Sequence, residues 1–144
     1  MKTKLLPCAL MFCAAVLFSA SCVAQKVPVS MEAPRSVNED RTALKFSKSL
    51  SDEIQLSGKF YLWIGEPSAL PLRGVRILVR SIQVKLSTGE ELGSAIFAEA
   101  DRASGKDPGY YKVVTEQMWM IPKNDSVADE TRGFLAEVDR ALER

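Results

Sequence analysis

The chain has 144 residues, 26% of them charged, and its 19 basic residues nearly balance 18 acidic ones. This length suits a single domain with a substantial core, and the near-neutral charge argues against a nucleic-acid-binding protein, because such proteins carry a marked basic excess. Histidine is absent, and all three cysteines fall within the first 22 residues. The usual zinc, copper and haem ligand sets and the Ser-His-Asp and Cys-His arrangements cannot form in the remainder, so we expect no metal, no cofactor and no structural disulfide there.

The first 24 residues have the pattern of an export signal. Lys2 and Lys4 precede an apolar run over residues 5–18, and small residues follow up to Ala24. A basic start, an apolar core of about 7–15 residues and a small-residue cleavage site are typical of secretory signals, whereas a bilayer span needs about 20 apolar residues. The leader looks more bacterial than eukaryotic. We therefore predict an exported protein, either periplasmic or anchored on the periplasmic side of the membrane.

Two processing routes are open within this leader. Cleavage after Ala24 would remove residues 1–24, with Cys22 and Ala24 as the small residues at positions −3 and −1. Cleavage before Cys22 would remove residues 1–21, since the stretch 19–22 (SASC) resembles the lipobox of bacterial lipoproteins, although Ser19 stands where that pattern usually has an aliphatic residue. That resemblance implies that Cys22 is the lipid attachment site and the only point of membrane contact.

Residues 25–41 are predicted to be a tether or an edge strand. The segment contains two prolines and several small or polar residues, which is typical of an extended linker. Val27, Val29 and Met31 nevertheless alternate with other residues, as an edge strand would require. Residues 42–144 are then expected to form one β-rich domain.

The first half of that domain shows the alternation typical of strands. Residues 43–49 and 52–64 carry apolar side chains on one parity, and residues 65–74 contain two glycines and two prolines and predict a loop. A further extended run covers residues 75–86. Its apolar parity changes in the middle, which predicts a β-bulge near Ser81 or a strand that crosses between two layers.

The second half predicts a hairpin, a last strand and a helix. Thr88-Gly89 lies between two extended runs and predicts a hairpin over residues 82–97, since glycine adopts the positive φ of a tight turn. Residues 111–121 predict the last strand. Apolar residues at helical spacing predict an amphipathic helix over residues 127–143, with Ser126 and Asp129 placed for a capping box and Gly133 at a close approach of helix and sheet.

These elements predict an α+β fold that is mainly β. We expect an antiparallel sheet or sandwich of about five to seven strands, with one amphipathic helix at the C-terminus. Strands gathered before a final helix favour segregated α+β architecture over a parallel α/β sheet.

Carboxylates are the only remaining candidates for catalysis. Two carboxylates in different environments could act as the acid and the nucleophile or base of a glycosidase-type hydrolase. Surface carboxylates that serve solubility are the competing interpretation. The candidates nearest predicted strand ends and loops are Glu90, Glu91, Glu99, Asp101, Asp107 and Glu116.

Basic and aromatic side chains suggest a binding surface instead. Arg73, Arg76, Arg80 and Lys85 form a run without an intervening acid, and several aromatic residues lie on strands that could be neighbours. Tyr, Trp and Arg combine large contact area with directed hydrogen bonds, although aromatic residues at alternate positions can equally belong to a core. The predicted binding residues are Tyr61, Trp63, Arg76, Arg80, Tyr110, Tyr111 and Trp119.

The functional expectation is a noncatalytic binding or accessory module of the bacterial envelope. Its expected partner is an envelope protein or a glycan, with no nucleic acid involved. A small carboxylate-dependent hydrolase and a carrier of an apolar ligand are the alternatives, so an enzyme is the less favoured interpretation.

Overall fold

The computed structural model of the protein describes residues 25–32, 40–105 and 109–144. The predicted leader, Cys22 and Asp107 lie outside these ranges. Within the described residues there are five strands and two α-helices. In chain order they are β1 (Val27–Glu32), α1 (Arg41–Leu56), β2 (Phe60–Leu62), β3 (Val75–Lys85), β4 (Glu91–Ala103), β5 (Tyr110–Pro122) and α2 (Ala128–Leu142).

The five strands form one mixed sheet in the order β2-β1-β3-β4-β5. β1 pairs in parallel with both β2 and β3, whereas β3, β4 and β5 form an antiparallel meander. The α+β class and the strand number therefore agree with the sequence. The antiparallel prediction holds only for β3 to β5, and the sandwich prediction is wrong for the described residues, which contain a single sheet.

Two helices, rather than a second sheet, cover the core side of this sheet. Trp119 on β5 lies with its ring centroid 5.4 Å from Phe46 of α1 and 5.8 Å from Phe134 of α2, so both helices pack on the same face. Val29 and Ile77 are fully buried beneath them. Apolar burial of this kind is the main favourable term in folding.

Helix α1 replaces the strands that were predicted over residues 43–49 and at the start of 52–64. Ala43, Phe46, Leu50 and Ile54 are all buried and recur at three- and four-residue spacing, which is the period of a helix face. The apparent strand alternation came from Leu44, which is half exposed. β2 is only the last part of the predicted 52–64 run.

Asp40 explains why this helix begins where it does. The buried carboxylate accepts hydrogen bonds at Oδ1 from the backbone N–H groups of Thr42 and Ala43, both at 3.0 Å, and from the hydroxyl of Ser94 on β4 at 2.7 Å. The side chain therefore caps the helix and joins it to the sheet.

β1 bears on residues 27–32 of the segment predicted as a tether or edge strand, while residues 33–39 lie outside the described ranges. β1 is neither a tether nor an edge strand, because it lies between β2 and β3 and hydrogen-bonds to both. Val29 and Ser30 are buried in consequence. The alternation of Val27, Val29 and Met31 belongs to an interior strand whose odd-numbered residues face the helices.

β3 is continuous through Ser81, where a bulge was predicted. Its register with β4 shifts only between Val84 and Lys85. The change of apolar parity has another cause: Val75, Ile77 and Val79 face the helices, whereas Ile82 points to the opposite face and is 63% exposed. The prediction was wrong because it assumed that every apolar side chain of the strand is buried.

The predicted hairpin, last strand and C-terminal helix are confirmed. Gly89 turns the β3–β4 hairpin with φ +87°, and Leu86 donates its N–H to the carbonyl of Glu90. At α2, Ser126 accepts a hydrogen bond from the N–H of Ala128, but no side chain bonds at the cap position itself. Gly133 is exposed, with no atom within 4 Å of where a Cβ would lie, so the close approach predicted there is wrong.

Candidate functional site

The candidate site lies on the sheet face opposite the two helices, which we call the open face. Residues 63–74 cross one end of it between β2 and β3, where the Pro67 carbonyl accepts a 2.6 Å hydrogen bond from the hydroxyl of Tyr110 on β5. The pairing register of β3, β4 and β5 places their residues in rows across the rest of the open face. Arg76 lies opposite Asp101, which lies opposite Lys112. The open face therefore has a covered, charged end and an uncovered end.

Arg76 lies at the centre of the charged end. Its guanidinium donates a 2.8 Å hydrogen bond to Asp101, lies 4.0 Å from a Glu32 carboxylate oxygen and stacks 4.1 Å above the ring of Tyr110. Burial opposes its charge, but the hydrogen bond to Asp101 and the negative charges of Glu32 and Asp101 outweigh burial and raise the pKa of Arg76. The side chain is thereby held in one position.

A second group of charges continues along the same face. Arg80 donates a hydrogen bond to Glu116 and lies 3.9 Å from a carboxylate oxygen of Glu99, which also accepts a hydrogen bond from Lys112. The hydrogen bond to Glu99 raises the pKa of Lys112, and the nearby charges of Glu99, Asp101 and Glu116 raise it further. We call all of these residues the ion-pair cluster: Glu32, Arg76, Arg80, Glu99, Asp101, Lys112 and Glu116.

The uncovered end is apolar. Ile82, Ala95 and Met120 lie directly across from one another on β3, β4 and β5, and Met118 lies opposite Phe97 in the adjoining row. Ile82, Met118 and Met120 are 63%, 60% and 59% exposed, and we call these three residues the apolar patch. Three large apolar side chains grouped on one face are more informative than the same residues scattered singly.

The structure brings some of the predicted binding residues together and separates others. Arg76, Arg80 and Tyr110 are neighbours on the open face, and Tyr61 projects from the same face at the far strand β2. Tyr111 and Trp119 point to the opposite face, because they pair with Arg102 and Ile96. Trp119 is partly buried and packs against Phe46 and Phe134 of the two helices.

Trp63 lies immediately after β2, where it continues the pairing with β1. Its N–H donates to the carbonyl of Val29 at 2.8 Å, and its indole N–H donates to the carbonyl of Glu66 at 3.3 Å. The indole also lies against Gly65, where a Cβ would come within 2.7 Å of the ring. The structure therefore places Trp63 in a turn of residues 63–74 rather than beside Arg76.

No protein-family model matches this chain, and no curated protein is similar to it. Within residues 25–32, 40–105 and 109–144, no helix is long and apolar enough to cross a membrane. The same residues contain no group of three or more acidic or sulfur side chains placed to hold a metal ion.

The carboxylates proposed for catalysis are engaged by cations. Asp101 is paired with Arg76, Glu99 with Lys112, and Glu116 with Arg80. Each of these three carboxylates thus accepts a hydrogen bond from a basic side chain, which is typical of a structural ion-pair network. Glu90 and Glu91 lie apart from them at the β3–β4 turn.

A groove of about 560 Å³ lies beside the ion-pair cluster, between Pro67 and β3. Leu78 contributes apolar surface, while Glu32, Arg80 and Glu99 place charge along it. Its volume is within the range of small-molecule pockets, about 300–1,000 Å³. The groove opens on the open face, whereas the space between sheet and helices is filled by side chains such as Phe46 and Phe134.

Sequence reasoning missed the apolar patch. A signal was present, since Met118 and Met120 alternate with Trp119 and Ile121, and Ile82 falls on the opposite parity to Val79. A strand that carries apolar residues at both its odd and its even positions has two apolar faces. This pattern does not indicate which face is covered, because that depends on where the helices pack.

Proposed function

We propose that this protein is an exported, noncatalytic binding module of the bacterial envelope, and that it recognises a partner protein through the open face. The observation that carries the proposal is the apolar patch next to the ion-pair cluster on an uncovered part of the sheet. Protein interfaces combine an apolar centre enriched in Met, Tyr and Arg with a polar rim. Export itself is inferred from residues 1–24 alone.

A protein partner suits this surface better than a glycan. Glycan recognition generally uses exposed aromatic rings as stacking platforms. Here the ring of Tyr110 is already stacked by Arg76, and the exposed Tyr61 lies on β2, at the edge of the sheet away from the apolar patch. Methionine side chains are flexible and polarizable and adapt to an apolar protein surface. Ile82, Met118 and Met120 offer such a surface.

The hydrolase alternative is supported less well. It needs one carboxyl group that can donate a proton and a second that is free to act as nucleophile or base. Asp101, Glu99 and Glu116 instead each accept hydrogen bonds from basic side chains. The carrier alternative would have to use the 560 Å³ groove, whose charged residues Glu32, Arg80 and Glu99 are a poor match for an apolar ligand.

Site-specific photocrosslinking in the native host tests the proposal. A photoreactive residue is placed in the full-length protein at Ile82 or Met118 and, as a matched control, at Leu44 or Leu56 on the exposed side of α1. We expect the same discrete protein adduct from both patch positions and no such adduct from the helix positions. The comparison is matched because all four positions are apolar and exposed.

A charge substitution supplies the second arm of this experiment. Met120→Lys should remove the adduct formed from Met118, whereas Leu44→Lys should leave it unchanged, because only the first places a charge within the patch. Both variants should keep the wild-type melting temperature, since both side chains are at least half exposed. Equal adducts from patch and helix positions, or an adduct that survives Met120→Lys, would contradict the proposal.

A further inference from the structure

A separate cavity of about 450 Å³ lies at the end of the sheet where β3 begins, β4 ends and β5 begins. Arg73, Arg102 and Tyr111 supply its large side chains, with Ala103 and Ser104 completing the lining. The apolar patch lies at the other end of these strands. The cavity is thus distinct from the surface proposed above, and oxyanion binding there does not rest on the proposed function; only the preference for a headgroup does.

Backbone pairing places the two arginines side by side. Arg102 on β4 lies directly opposite Tyr111 on β5, so their side chains emerge on the same face. Arg73 precedes β3 and donates its backbone N–H to the carbonyl of Ala103 at 3.2 Å, next to Arg102. The backbone therefore brings two arginines and one tyrosine, whose side chains all carry hydrogen-bond donors, to the lining of one cavity.

Among the described residues, no carboxylate compensates the charge of this pair. Neither Arg73 nor Arg102 has a carboxylate oxygen within 4.0 Å among the described residues, whereas Arg76 and Arg80 both do. Two like charges that line one cavity repel each other, and the repulsion is relieved when an anion enters. Arginine pairs are suited to phosphate because each guanidinium can donate two parallel hydrogen bonds.

The backbone conformation of Arg73 also favours a ligand site at this position. Its φ is +70°, and it is the only non-glycine residue of the described part with a positive φ. This left-handed conformation is unfavourable for a side chain with a Cβ, and such strain concentrates at ligand sites. Glycine would satisfy this turn without strain.

We propose that the cavity formed by Arg73, Arg102 and Tyr111 binds a phosphate-type oxyanion. Lipid headgroups and soluble phosphate compounds share this chemistry. The position suits a headgroup, because β1 is parallel to β3, with Val29 opposite Val75, and Gln25 therefore leaves the domain at the same end of the sheet as the cavity. Acylation of Cys22, three residues before Gln25, would turn this end toward the membrane.

Titration of the purified full chain with inorganic phosphate, followed by NMR, tests the site. Wild type should show saturable shifts of the backbone signals of residues 102–104 and 111, and acetate should bind more weakly. Arg73→Gln/Arg102→Gln should weaken phosphate binding by at least about tenfold. Arg41→Gln/Lys48→Gln makes the same change in net charge on exposed residues of α1 and should leave phosphate affinity unchanged.

Two further variants separate binding from folding. Arg73→Gly should lose phosphate affinity without any fall in melting temperature, because it removes the side chain and the left-handed strain together. Tyr111→Phe should weaken binding by less than the arginine substitutions, since it removes one neutral donor. A parallel loss of binding and of melting temperature in Arg73→Gly would overturn the proposal.

Vesicle sedimentation distinguishes the two sources of phosphate. The same variants are compared on vesicles of phosphatidylcholine and on an equal mixture of phosphatidylcholine and phosphatidylglycerol. If Arg73→Gln/Arg102→Gln binds the anionic vesicles more weakly than Arg41→Gln/Lys48→Gln does, the ligand is a lipid headgroup. If the two double variants bind these vesicles equally, and wild type still binds inorganic phosphate in the NMR titration, the ligand is a soluble phosphate compound. Absence of saturable phosphate binding, equal affinity for acetate, or equal losses in both double variants would overturn the site.

Discussion

Replacing Asp40 with alanine should lower the free energy of unfolding by about 2–3 kcal/mol. The carboxylate accepts three hydrogen bonds at Oδ1, two from the N-terminal N–H groups of α1 and one from the hydroxyl of Ser94. Loss of an N-cap costs about 0.5–2 kcal/mol. A buried hydroxyl left without its charged partner adds about 1–3 kcal/mol, and relief from burying a carboxylate offsets part of both losses.

Two milder variants divide this effect into its parts. Asp40→Ser keeps a capping oxygen for Thr42 and Ala43 but is too short to reach Ser94, and Ser94→Ala removes only the link to β4. Each should therefore lose about 1 kcal/mol, less than Asp40→Ala. The measurement is urea denaturation followed by far-ultraviolet circular dichroism, with the urea dependence of the free energy checked for two-state behaviour.

The result that refutes this reasoning is specific. An Asp40→Ala variant within about 0.5 kcal/mol of wild type would mean that desolvation of the carboxylate cancels all three of its hydrogen bonds. A loss in Ser94→Ala as large as that in Asp40→Ala would mean that the cap contributes nothing and that the link to the sheet is the whole effect. An Asp40→Ser variant as unstable as Asp40→Ala would also mean that the cap contributes nothing to stability.

Three further predictions concern other parts of the molecule. Gly133→Ala should raise stability by about 0.5–1 kcal/mol, because this helical position is open to a methyl group. Gly89→Ala should lower stability, because Gly89 has φ +87°, which is unfavourable for a residue with a Cβ. Thermal melts of both variants check this contrast. Trp119→Ala should lose about 3 kcal/mol in denaturant titrations, since the indole packs between Phe46 and Phe134, and a loss below about 1 kcal/mol would contradict that packing. The pKa of Lys112 should fall in Glu99→Gln when it is measured by NMR titration, because Glu99 raises that pKa. The stability that this ion pair contributes is complete below the unfolded pKa of Lys, about 10.4, and is lost as pH rises through the higher folded pKa. An unchanged pKa in Glu99→Gln would mean that Glu99 is not the cause of the shift.

The elements that could be predicted from sequence are those governed by local interactions. The hairpin at Gly89 and the helix α2 depend on turn chemistry and on a sustained helical period, and both are confirmed. Helix α1 was missed because Leu44 and Phe46 fit a strand alternation over a short window. The decisive evidence lay further along, at Leu50 and Ile54, where only a helical period keeps every buried residue on one face.

The candidate site could be predicted only in part, because it depends on register between distant strands. The basic residues Arg76 and Arg80 share a parity in sequence, and they do lie on one face. Their partners Asp101 and Glu116 lie 25 and 36 residues away, and no local pattern indicates that pairing. Trp119 was grouped with the binding residues because sequence does not show which face of β5 the helices cover.

The interior position of β1 also determines how the domain would respond to a mechanical load. If Cys22 carries the lipid anchor, only five peptide units separate it from Val27, a reach of at most about 18 Å. A pull on that anchor along the axis of β1 would load its hydrogen bonds to β2 and β3 at the same time. Shear of two ladders together resists extension far better than peeling of an edge strand, so the anchor would load the domain through an interior strand.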